Sequence, residues 1–189
     1  TGKRLNDEMN EATGGKSRTL RYALIINVAV CIAYFFGGKL GLELHGLETG
    51  APLVWLPTGI AVAALYRFGN LALPGIAIGA IAVVAQQLPS SFSAQTVAGL
   101  ALQIAAGPLQ ALTAVFLLKY FAGKEELLRS FKSLFVFVCG CSFLSTTISA
   151  AMGASAIVMQ GIIPSSILFS VWFNWWIADA LGVMVAAPL

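Results

Sequence analysis

The chain has 189 residues, with 11 Lys and Arg against 8 Asp and Glu, one His and a net charge of +3. Hydrophobic residues make up 58% and charged residues only 10%, where a soluble domain is about a quarter charged. So few charges cannot cover a water-soluble globule; a soluble enzyme, a nucleic-acid-binding domain and a disordered tail are excluded, leaving an integral membrane protein.

Residues 1–19 are polar and mixed in charge, and read as a cytoplasmic tail. The chain does not begin with Met, so its numbering is expected to start inside a longer protein. Residues 20–189 read as one transmembrane domain, expected to be truncated at its C-terminal end. Apolar runs cover 20–38, 52–66, 71–88, 96–118, 133–158 and 166–189. The first resembles a signal anchor, but no small-residue cleavage site follows it. The second is the shortest. At 1.5 Å per residue each run crosses most of a hydrocarbon core of about 30 Å. Backbone amides in lipid need internal partners, and the alternation of barrel strands is absent, so the runs are expected to be helices. The expected fold is all-α: a polytopic bundle of about six transmembrane helices.

In a six-helix arrangement Lys3, Arg4, Lys16, Arg18, Arg21, Arg67, Lys119, Lys124, Arg129 and Lys132 share one side. Only Lys39 lies on the other. This bias predicts that the N-terminus and the C-terminal end are both cytoplasmic. The loop with Glu43, His45 and Glu48 then faces outward, as do the uncharged loops near Pro89 and Gln160.

Asp179 is the single acidic residue well inside a span. A carboxylate there costs ~2.5–3.5 kcal/mol on insertion scales, so it marks either a ligand or proton site or a hydrogen-bonded link between helices. The four tryptophans are Trp55, Trp172, Trp175 and Trp176. Anchoring at the interface accounts for Trp55 and Trp172 better than for Trp175 and Trp176, which lie well into the last span. Helical spacing puts Trp172, Trp176 and Asp179 on one stripe, and Trp175, Asp179 and Gly182 on a neighbouring one. Indole walls over one polar group suit a small-molecule site.

Gln103, Gly107 and Gln110 form a polar seam on the fourth span, fit either for hydrogen bonds between helices or for lining the same cavity. Pro108 interrupts the hydrogen-bond ladder beside it. Ser142, Thr146, Ser149 and Gly153 make a small-residue stripe that predicts close packing, as does the GxxxG match from Gly75 to Gly79. Cys31, Cys139 and Cys141 lie in apolar runs without metal-site spacing. With His45 alone in a loop, and no nucleophile elbow, phosphate loop or HExxH, an enzyme is not expected and no cofactor is called for.

Two segments carry a family resemblance. Trp55-Leu56-Pro57-Thr58-Gly59-Ile60-Ala61 resembles the W-x-P-T/S-G-I/L-A signature of a bacterial sensor domain. Trp175-Trp176-Ile177-Ala178-Asp179-Ala180-Leu181-Gly182, running on to Pro188, resembles its W-W-x-G/A-D-x-x-G…P segment. The family is the membrane-associated sensor domain of the first type. Lys39-Leu40-Gly41-Leu42 and Pro74-Gly75-Ile76 fit its pattern, while Leu73, Val84 and Gln110 depart from it. The resemblance runs over 22–189. It implies an input domain in the bacterial inner membrane, signalling to a cytoplasmic histidine kinase or a cyclic di-GMP enzyme beyond this chain. It also implies a homodimer formed through that output, a small-molecule ligand or a membrane protein partner, and no nucleic acid. Trp55, Pro57, Gly59, Gln103, Gln110, Trp172, Trp175, Trp176, Asp179 and Gly182 are the candidate ligand-binding or signalling residues. A six-span substrate-binding subunit of a vitamin-type transporter is the alternative, and a purely structural anchor is a third reading.

Overall fold

The computed structural model describes residues 2–44, 52–88, 92–123 and 130–188, with side chains described from Arg18 onward. Every regular element among them is helical. Helix α1 covers Gly2–Glu43, so the polar stretch read as a tail continues the first helix. It is followed by α2 (Leu56–Phe68), α3 (Leu73–Val84), α4 (Ala94–Phe121), α5 (Phe131–Phe135), a π-helical stretch (Val136–Leu144), α6 (Thr146–Met159) and α7 (Leu168–Ala186). His45, Glu48, Pro89, Lys124 and Arg129 lie outside the described residues.

Among the described residues five helical stretches are long and apolar enough to cross a membrane: Arg18–Glu43, Leu56–Gln87, Ala94–Phe121, Phe131–Met159 and Ser165–Ala186. The second counts as one because a 3-10 turn at Gly69–Ala72 follows α2 directly and leads straight into α3. Its two ends nevertheless meet. A Cβ on Gly38 of α1 would lie 3.5 Å from Pro57 and 3.2 Å from a methyl of Val83. In a continuous helix those two residues stand about 39 Å apart. The chain therefore reverses at Gly69, whose φ of 60° is open to glycine at no steric cost.

Asn27 of α1 holds that reversal. Its Nδ2 donates to Ala23 O at 2.8 Å and to Leu71 O at 2.9 Å, and its Oδ1 accepts from Gly75 N–H at 2.5 Å. The last bond satisfies one of the unpaired amides at the start of α3. From there α3 climbs parallel to α1, with Gly75 against Asn27 and Gly79 against Tyr34. The GxxxG match is the seam between these two helices.

Helix α4 opens on a Ser93 cap, whose Oγ accepts from Thr96 N–H at 3.1 Å, and continues through Pro108 unbroken. It runs antiparallel to the fifth apolar stretch. Gln110 Nε2 donates to Ser145 Oγ at 2.8 Å, and Cys141 Sγ sits 3.2 Å from Ala114 O. In the π-helical stretch Ser145 N–H reaches back five residues to Gly140 O at 2.9 Å. Its loosened carbonyls are taken up by hydroxyls, Ser142 Oγ on Phe137 O and Ser145 Oγ on Cys141 O.

The interior is built from small side chains: Ala61, Ala111, Ala114, Ala150 and Ala154 are fully buried. Large apolar side chains such as Ile25, Phe116 and Phe169 point out of the bundle. That arrangement suits lipid, where close backbone approach rather than burial of bulk associates helices.

Candidate functional site

A cavity of about 210 Å3 lies between α1, α2, α3, α4, α6 and α7, at the end where α1 finishes. Leu42, Pro52 and Gln87 line its outer part, close to helix ends. Tyr34, Thr58, Gly107, Ser149 and Asp179 line its deeper part.

Asp179 sits mid-way along α7 and is 6% exposed. Its Oδ2 takes a short hydrogen bond from Ser149 Oγ on α6. Ser149 Oγ also lies 3.0 Å from Thr146 O. A hydroxyl has one proton, so it serves the carboxylate or the carbonyl, not both at once. Asp179 Oδ1 has no protein partner among the described residues. Nor is it sealed away, since among the described residues Gln110 Oε1 is the sealed polar side-chain atom without one. Oδ1 therefore opens on the cavity. The same holds for the Tyr34 hydroxyl, on a side chain only 4% exposed.

Trp55 reaches the cavity from the stretch that precedes α2. Its backbone N–H donates to Ala178 O of α7 at 2.9 Å. Thr58 Oγ1 lies 2.6 Å from Trp55 O and 3.1 Å from Asp179 O, which ties the start of α2 to the middle of α7. Non-helical backbone at membrane depth is tolerated where it lines a cavity in this way. Trp175 stands one turn above Asp179, and its ring fills the place that a side chain on Gly153 would take. The Trp55 ring lies likewise against Gly41. Gln103 joins from α4, one turn before Gly107, against which the Tyr34 hydroxyl packs.

Trp55, Gln103, Trp175 and Asp179 thus come together around one space. The other six residues singled out in the sequence are placed elsewhere. Trp176 Nε1 donates to Phe143 O at 2.8 Å, turning the ring toward the π-helical stretch, and Trp172 stacks on it at 5.7 Å. Gln110 is fully buried against Ser145. Pro57 and Gly59 lie in the first turn of α2, and Gly59 meets Gly182 backbone to backbone. Tyr34, Thr58 and Ser149 line the cavity without having been singled out as site residues. A tyrosine in a first span reads as an anchor, and a serine in a small-residue stripe reads as packing. Only Thr58, inside the Trp55 motif, carried a usable signal.

Among the described residues lining the cavity there is no Lys, Arg or His. No three His, Cys, Asp or Glu side chains gather to hold a metal among the described residues. Chemically the cavity offers one carboxylate oxygen, a phenol, the amides of Gln87 and Gln103 and two indoles, which suits binding and orientation of a small molecule.

A family model described as MASE1 matches residues 23–189. No curated protein and no solved structure matches the chain.

Proposed function

Because the chain belongs to the MASE1 family, whose members are membrane sensory input domains, we propose that the Asp179 cavity is where it receives its signal. The observation that carries this reading is the convergence of Tyr34, Ser149 and Asp179, from three different helices, and of Trp55, from the stretch before α2, on one space. A buried carboxylate with a free oxygen is costly to keep in a membrane unless something uses it.

The proposed arrangement has six passes, with α2 and α3 each crossing separately and both chain ends in the cytoplasm. The contacts of α1 with α2 and α3 and the placement of the basic residues support it. The cavity then opens to the outside of the bacterial inner membrane. Helix α7 carries Asp179 near its middle and runs toward the cytoplasmic side, where the full-length protein would hold a histidine kinase or a cyclic di-GMP enzyme. A ligand or membrane partner shifts the output only by binding two arrangements of the bundle with different affinity. The output itself is proposed to be dimeric.

Replacing residues 23–189 in the full-length protein by an unrelated six-pass bundle tests the role. Loss of the stimulus response with basal output preserved is expected. An unchanged response would show that the domain only anchors its output.

A further inference from the structure

We propose that the Asp179 cavity takes a small organic cation, an alkylammonium compound of a few heavy atoms. This deepens the reading of the cavity as the input site and rests on it.

Three features point the same way. The first is charge. Asp179 brings a carboxylate whose Oδ1 has no protein partner among the described residues, and no Lys, Arg or His among them lines the cavity to balance it. A buried carboxylate without a counter-ion is strongly unfavourable, and a bound cation supplies the missing charge. The second is the wall. Trp55, Trp175 and Tyr34 line the same cavity as the carboxylate, and aromatic rings attract ammonium groups, most strongly when desolvated. The third is size and donor set. About 210 Å3 is below the ~300–1,000 Å3 of pockets for drug-sized ligands. The Thr58 and Ser149 hydroxyls are already bonded, and one carboxylate oxygen with a phenol and two amides supplies fewer oxygens than a calcium-like ion takes, about six to eight. The start of α2 also borders the cavity and would by itself favour an anion. Asp179 opposes that preference.

The test uses this chain in phospholipid nanodiscs and follows tryptophan fluorescence. Tetramethylammonium chloride is titrated against tert-butanol, a neutral molecule of similar size and shape, against sodium acetate and against sodium chloride. A saturable change with tetramethylammonium, at least about tenfold tighter than with the other three, is expected. Trp175→Leu weakens it about tenfold, and Asp179→Asn abolishes it. Trp172→Phe, outside the cavity, leaves it unchanged. An equal response to tert-butanol, acetate or sodium chloride overturns the proposal, as does undiminished binding by Asp179→Asn. The comparison of the four probes on the unaltered chain decides the matter even where a variant does not fold. Tetramethylammonium binding that leaves the full-length output unmoved would overturn the sensory reading and leave this assignment standing. An Asp179-dependent output with no cation binding would do the reverse.

Discussion

Gly59 of α2 and Gly182 of α7 meet with no space for a side chain between them. A Cβ on Gly59 would run into the Gly182 carbonyl, and one on Gly182 into the Trp55 carbonyl. Together with the Trp55 N–H to Ala178 O bond, this contact fastens the aromatic wall of the cavity to the helix that carries its carboxylate. Whatever moves α7 at Asp179 moves Trp55 with it. Gly182→Ala is expected to destabilise the bundle by about 1–3 kcal/mol or more, since backbone stands on both sides and cannot yield as a side chain would. Thermal unfolding in nanodiscs reads this out, with Leu181→Ala, on the outer face of α7, as the milder control.

Ser149→Ala removes the donor to Asp179 Oδ2 while leaving Thr146 O in its helix. A loss of about 1–3 kcal/mol is expected, the desolvation penalty of an acceptor left without a partner. The loss should shrink in an Asp179→Leu background, where nothing needs the hydroxyl. Equal losses in both backgrounds would mean that the two side chains are not coupled.

Gln110 presents the opposite case. Its Nε2 is bonded to Ser145, but its Oε1 is sealed without a partner. Ser145 Oγ keeps its own bond to Cys141 O at 2.5 Å when the amide is removed. Gln110→Met is therefore expected to be neutral or stabilising, within about 1 kcal/mol. A large loss in unfolding temperature would contradict this account of the α4 seam.

Labelling with a membrane-impermeant thiol reagent tests the reversal at Gly69. In a background without the native cysteines, Cys placed at Leu53 or Gln87 is expected to be labelled from the same side, and Cys at Asn70 from the other. Labelling of Leu53→Cys and Gln87→Cys from opposite sides would make 56–87 a single crossing.

Much of this was legible in the residues, and the rest was hidden for physical reasons. The apolar runs become helices because lipid leaves the backbone no other partner. The boundary at Gly69 blurs because the 3-10 turn that begins there follows α2 and leads into α3 with no loop between them. Asp179 stood out as a carboxylate in an apolar span. Trp175 and Trp176 could not be told apart, since both lie within about 60° of Asp179 around a helix. What separates them is Gly153, which makes room for one ring, and Phe143 O, which draws the other away. Trp176→Phe is expected to cost little in thermal unfolding, because Phe143 O keeps the Thr147 hydroxyl as a donor. Tyr34 was hidden altogether, because its role depends on glycines in α3 and α4 that only the fold brings beside it.

The most direct test of the central claim is the stimulus response of the full-length protein carrying Asp179→Asn, measured at the kinase or cyclic di-GMP output beside the unaltered protein. The account predicts normal insertion and basal output with the response lost, and a normal response from Trp172→Phe. An Asp179→Asn protein that responds as the unaltered one does would contradict it.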